Sequence, residues 1–270
     1  MCKNLYENYK KIWWNKDNSL DTIYSFIKQY DIDVDNAGNI TINNSSNKNV
    51  PVFCCHLDTV HEAEPHPYLL KDDILLSMND NGIGGDDKCG IIACLELLKK
   101  LECKVIFFRE EETGCVGAKK YNQQTLTKNR FMIEIDRRGS SDLIFNGGYL
   151  EKQMASDEFI TDVSIIGEKF GFKPETGLYT DVSQLKDSGI SRMNISCGYY
   201  LPHTAKEYVV LSELQNTIDL CYTIGKKLTK QYKHKSSLLK IVNYEEGQLF
   251  IEGEANYGKE INKDDTFYAK

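Results

Sequence analysis

The sequence lacks what a membrane span, a nucleic-acid interface or a disulfide scaffold would need. No long apolar run follows the lysines of MCKNLYENYKKIWW, and none elsewhere reaches the ~20 residues of a transmembrane helix, so no signal peptide and no membrane partner are expected. Positive charge is in deficit. The chain has 33 Lys and Arg against 40 Asp and Glu, a net charge of -7, which leaves no dominant basic surface and argues against nucleic acid as a partner. The nine cysteines are odd in number and show no paired CxxC spacing. Most sit in apolar runs such as VFCCH and IIACLELL, as buried free thiols of a reducing cytoplasm do. Internal repeats and low-complexity segments are absent too.

What is present is a chain of 270 residues, 41% hydrophobic, enough for a sizeable core. Residues 4–30 read as amphipathic helices broken near Asn15–Ser19. DIDVDNAGNITINN reads as a hairpin, with Ile32, Val34, Ile40 and Ile42 alternating around a turn. Val50–Cys55 is a continuous apolar run, the mark of a buried central strand. If it is one, Cys54 and Cys55 face opposite ways. Tyr68–Met78 suggests a second hairpin. Asp87–Leu101 is the clearest helix, with Ile91, Ile92, Leu95, Leu98 and Leu101 on one face. Further strands are expected at Lys104–Phe108, Arg130–Ile135, Asp142–Asn146 and Ser191–Cys197. Helices are expected at Ser156–Phe170 and Leu211–Leu228, with a loop at Tyr199–Ala205. Strands alternating with helices predict an α/β fold, a three-layer sandwich with a mostly parallel mixed central sheet. A composition shift near 232 predicts a single domain over 1–231 and an extension over 232–270 in which KIVNYEEGQLFIEGE suggests a β-hairpin.

Polar groups gather where these strands end. HLD (56–58), EEETG (110–114), EIDRRG (134–139) and PHTAKE (202–207) each follow or close a strand-like run, and GGDDKCG (84–90) opens the long helix. The carboxyl ends of strands in such sheets converge on one edge, where ligands bind. Two histidines with several carboxylates and no cysteine suit zinc, manganese or cobalt. Asp86, in a glycine turn, can bridge two cations, which together make a nucleophile of water at neutral pH. Adjacent glutamates let one bind metal while its neighbour stays free to carry protons. Each motif alone is an ordinary turn, cap or acidic loop; their co-occurrence is what points to a metal site. Arg137, Arg138, Asn146, Tyr199 and Tyr200 are candidates to line the substrate cleft. His61, His66 and His234 read as bystanders.

The set HLDTV, GGDDKCGI, EETGCVGA, EID and PHTAKE, in that order over residues 30–230, resembles the co-catalytic zinc exopeptidases. Within them it is most similar to the branch of peptidase T, carboxypeptidase G and aminoacylase, with the single-domain aminopeptidases as relatives. The resemblance implies that two divalent ions are held, one by His56 and Asp136, the other by Glu112 and His203, with Asp86 bridging. It implies Asp58 as the group that orients His56, Glu111 as the general base, and a cis peptide after Asp86. The branch carries a lid or dimerisation domain between the counterparts of Asp136 and His203. Here only 66 residues intervene, fewer than the core elements and a further domain of at least ~50 residues would need. The implied protein is a bare catalytic core that hydrolyses amide bonds, an exopeptidase acting on a small peptide. An N-acyl amino acid deacylase would use the same groups. A metal-stabilised binding protein without turnover is the reading of another class, and the presence of Glu111 argues against it.

Overall fold

The computed structural model describes residues 2–16, 19–148, 151–236, 240–245 and 248–252. Its strands, in chain order, are Asp31–Val34 (β1), Ile40–Asn43 (β2), Val52–His56 (β3), Pro67–Leu70 (β4), Ile74–Ser77 (β5), Lys104–Phe108 (β6), Met132–Arg137 (β7), Asp142–Ile144 (β8), Lys173–Glu175 (β9), Arg192–Ser196 (β10), Tyr199–Tyr200 (β11) and Tyr208–Val210 (β12). Lys240–Glu245 (β13) and Gln248–Glu252 (β14) follow and pair antiparallel with each other.

Strand alternation builds the layers. Phe53 and Cys55 of β3, Val105 and Phe107 of β6, and Ile133 and Ile135 of β7 enter one core, beneath the helices Gly85–Lys100 and Leu211–Lys227. Val52 and Cys54, Ile106 and Phe108, and Met132 enter a second core on the other face, under the short helices Val116–Lys120 and Asp181–Gln184. Cys54 and Cys55 therefore do point to opposite faces. Each fully buried side chain of this size contributes about 1.5–3 kcal/mol, so Phe53→Ala alone would remove a large part of a domain's net stability.

The main sheet runs β1-β2-β6-β3-β7-β10-β8-β9, with β6, β3, β7 and β10 parallel to one another. β1 and β2 add an antiparallel hairpin at one side, and β8 meets β10 antiparallel at the other. This is the three-layer α/β sandwich with a mixed sheet. The Gly85–Lys100 helix lies close on it at Gly90, where a methyl group would collide with the Ile135 carbonyl and the Cys55 side chain. A second sheet, β11-β12-β5-β4, is antiparallel throughout.

Three details differ from expectation. Tyr199–Ala205 begins as a strand, because β12, a three-residue segment too short to show a period, supplies its partner. β9, Lys-Pro-Glu, is exposed along its length and carries no apolar signal. The domain edge expected at 231 falls inside packed structure: Tyr232 is buried in the main core, Lys233 bridges to Ile190, and Arg192 Nη2 donates to Ser236 Oγ at 2.6 Å. Between Asp136 and His203 the described residues hold only core elements, β8 to β11 with the helix Asp157–Glu168 and the short helical turns, and no added domain.

Candidate active site

Because β6, β3, β7 and β10 are parallel, their carboxyl ends share one edge, and the polar residues that end these apolar runs meet there. His56 is the last residue of β3. β6 runs out into Arg109–Glu112, Asp136 lies near the end of β7, and His203 sits in the turn after β11. Asp86 enters from the loop that opens the Gly85–Lys100 helix, and the Asp86–Asp87 peptide is cis.

Asp86 lies between the two histidines. Its Oδ1 is 2.9 Å from His56 Nε2 and its Oδ2 is 3.2 Å from His203 Nε2. Asp136 Oδ1 stands 3.7 Å from His56 Nε2, and Glu112 Oε1 stands 3.0 Å from His203 Nε2. The outer nitrogen of His56, Nδ1, is 3.0 Å from the Asp58 carbonyl oxygen, which fixes the tautomer with Nε2 free to ligate. The Asp58 carboxylate reaches further. It accepts the amides of Glu111 and Glu112, each at 3.1 Å, and so ties the EETG loop to the end of β3. The side chain of His56 is buried, whereas that of His203 is 50% exposed, so the cleft opens on the His203 side.

The electrostatics call for cations. Burial drives Glu111 up to about 8, with the Asp136, Glu112 and Asp86 carboxylates adding to it against His56. Burial and the Asp86 charge raise Glu112 to about 7. Burial likewise raises Asp136, with His56 opposing. Asp86 goes the other way: burial would raise it, but hydrogen bonds from His203 and His56 hold it well below the usual range. Burial alone would lower His56, but Asp136, Asp58 and Asp86 outweigh it, and the hydrogen bond to Asp86 helps lift His203 to about 9. Glu112 Oε1 is buried and receives no hydrogen bond, although His203 Nε2 is near. A cluster of carboxylates and imidazoles with a stranded oxygen is what oxygen- and nitrogen-liganded divalent ions fit. Ligand atoms of His56, Asp86 and Glu112 lie within 4.8 Å of one another, as do those of His56, Asp87 and Asp136. Asp87 Oδ1 accepts the Gly90 amide at the helix start, and its Oδ2 is buried without a hydrogen-bond partner.

Several residues that shape the site were not singled out from sequence. The β7/β10 register shifts after Asn194, and the Asn194 side chain takes over: Nδ2 donates to the Asp136 carbonyl at 2.7 Å and Oδ1 accepts the Asp136 amide at 3.1 Å. Tyr199, proposed for the substrate cleft, instead donates its hydroxyl to Asp136 Oδ1 at 3.0 Å. Glu134 is buried one layer below and accepts the Asp181 amide at 3.1 Å, placing Asp181, whose two carboxylate oxygens have no hydrogen-bond partner, among the acidic groups. His61, read as a bystander, meets Glu207 at 2.8 Å. Three of the other cleft candidates make polar contacts elsewhere. Arg137 pairs with Asp142, Asn146 Oδ1 and Nδ2 bond the Gly177 backbone, and the Tyr200 hydroxyl donates to Glu213. Two surface hollows, one lined by Asp162, Lys169 and Lys230 and one by Asn146, Lys152 and Glu175, contain none of the candidate metal ligands.

A family model, that of peptidase family M28, matches residues 39–237. No curated protein matches the sequence. Among solved structures, aminopeptidase PepT from Bacillus cereus superposes with a TM-score of 0.70 at 14% identity, over 85% of this chain and 99% of its own. A tripeptidase from Staphylococcus aureus gives 0.68 at 15%, over 86% and 99%. An aminopeptidase from the archaeon Desulfurococcus kamchatkensis gives 0.66 at 14%, over 84% and 96%. At these identities the superpositions speak for the fold.

Proposed function

The chain belongs to peptidase family M28, a metal-dependent exopeptidase by that membership, and we propose that it uses two divalent cations to release residues from the amino terminus of short peptides. The observation that carries this reading is Asp86, whose two carboxylate oxygens face two different histidines. His56 and Asp136 would hold one ion and Glu112 and His203 the other, with Asp86 between them. Zinc suits imidazole with carboxylate best, and manganese or cobalt would also fit. When bound, the ions polarise the scissile carbonyl and acidify the attacking water.

The chain's own residues do the rest. Glu111 is the acid of this set that no histidine approaches within ion-pair distance among the described residues; its Oε1 accepts a thiol hydrogen bond from Cys115 at 3.6 Å. It would take the proton from water and return it to the leaving amine. Its pKa falls from about 8 as the neighbouring carboxylates are neutralised, towards the range where one group can do both. Asp58 positions His56 through its carbonyl and Glu111 through its carboxylate. Asn194 and Tyr199 hold Asp136 in place.

Short peptides fit a core with no added domain between Asp136 and His203, and the neighbouring structures are described as aminopeptidases and a tripeptidase. The eight described cysteines are all unpaired and buried, which supports a cytoplasmic location. No described helix is long and apolar enough to cross a membrane. The test is a panel of di- and tripeptides with free or acetylated amino termini, assayed with and without chelator. Chelator-sensitive release from free amino termini is expected; hydrolysis of the acetylated set alone would assign a deacylase instead.

A further inference from the structure

We propose that Glu207 and His61 are positioning residues that lock the loop of the bridging aspartate to the loop of the second histidine. This rests on the two-cation reading above and extends it. Glu207 is 1% exposed. Its Oε2 accepts the Gly84 amide at 2.7 Å and the His61 Nε2 proton at 2.8 Å, and its Oε1 accepts the Asp86 amide at 3.0 Å. An ionised carboxylate has lone pairs for all three, and each bond is strengthened by its charge.

The topology gives these bonds their meaning. Glu207 follows His203 by four positions, so one short stretch supplies both a ligand and the anchor for Asp86. His61 comes from the stretch after β3 that carries His56 and Asp58. Its ring lies close against Gly82, where a methyl group would overlap both the imidazole and the Thr204 carbonyl. Three segments that each deliver site residues thus close on one buried carboxylate. None of the three bonds uses an atom that would ligate a cation. What they control is where the Asp86 backbone sits, and so whether its two oxygens can serve both sides. Outer partners of this kind set ligand orientation and commonly change metal affinity by about 10–100-fold.

The test uses the full chain and the variants Glu207→Gln, His61→Ala, His61→Gln and the double H61A/E207Q. Chelator-stripped protein is titrated with zinc against a chromophoric competitor, and kcat and KM are measured at saturating zinc. Glu207→Gln leaves one oxygen for three donors; its zinc affinity and its kcat are expected to fall by about tenfold or more with KM little changed. His61→Ala moves both in the same direction by less. His61→Gln, whose amide can donate in place of the imidazole, recovers most of the loss, and the double variant is no worse than Glu207→Gln. Zinc affinity and kcat within twofold of the parent in both single variants would overturn the proposal, as would a loss confined to melting temperature or simple additivity in the double. Should Glu207→Gln fail to fold, the contrast between His61→Ala and His61→Gln decides. His56→Ala, run alongside, separates the two levels: a variant that keeps both zinc ions sinks the two-cation reading itself, whereas loss of zinc there with parental affinity in the Glu207 and His61 variants sinks the clamp alone.

Discussion

Asp58→Ala tests how the site is assembled. The Asp58 carboxylate accepts two amides, those of Glu111 and Glu112, at 3.1 Å each, and its carbonyl faces His56 Nδ1. Removing the side chain strands both amides, at about 1–3 kcal/mol each if they are fully buried. The Asp58 side chain is 23% exposed, so water can replace part of what is lost, and the low end applies, about 2 kcal/mol in all. In a protein of this size that lowers Tm by about 4–8 °C. The functional loss should be larger. Glu111 and Glu112, the proposed general base and a proposed metal ligand, hang on those two amides, and a displacement of about 1 Å costs about 10²-fold in rate. Metal affinity should drop by about 10–100-fold through the loss of an outer partner. Asp58→Asn, which keeps one acceptor, should fall between. The assay pairs thermal melts of the metal-loaded protein with zinc competition and steady-state kinetics. An alanine variant with parental kcat and zinc affinity, whatever its Tm, would refute the claim that Asp58 organises the base and the ligand together.

Other expectations follow from single groups. Glu111→Gln should keep its metal and lose about 10²–10⁴-fold in kcat, read by kinetics beside elemental analysis; parental turnover would remove its role. In the metal-free protein, Glu111 at about 8 and Glu112 at about 7 bind protons more tightly folded than unfolded, as does His203 at about 9. The folded state therefore holds more protons between about pH 4.5 and 9, and stability falls as pH rises through that window. Melts of chelator-treated protein at pH 5.5 and 8.5 should show the higher value at 5.5, with added zinc restoring more at 8.5; the reverse order would contradict the assigned electrostatics. Glu151→Ala leaves buried Arg192, which Glu151 meets at 2.6 Å, without its counter-charge, and should cost about 3–5 kcal/mol in a denaturant titration; a loss below 1 kcal/mol would show the pair to be dispensable.

Much of the fold was legible because buried strands in a parallel sheet leave largely apolar runs. VFCC, KVIFF and MIEI each announce a strand, and the polar residue that ends each run marks the sheet's functional edge. That is why His56, Glu111, Asp136 and His203 could be placed along one edge without coordinates, whereas Asp86 was suggested by its glycine turn and the roles of the set by the family resemblance. The supporting groups gave no comparable signal. Asn194 looks like ordinary alternation in RMNIS until the register shift beside it is seen. Glu207 looks like a solvated acid next to Lys206, yet β12 carries it into the interior against the Asp86 loop. Asp181 sits in TDVSQLKDSG, which reads from sequence as a turn, and nothing there marks a carboxylate that is buried among the acidic groups of the site. Sequence shows which side chains end a strand; which ones brace them depends on loops meeting across the fold.

The central claim is that two divalent cations share Asp86. Elemental analysis of purified, buffer-exchanged protein measures it most directly, with His56→Ala and His203→Ala alongside. Two metal ions per parent chain and no more than one in each variant are expected; a parent chain without metal, or variants that match the parent, would contradict the account.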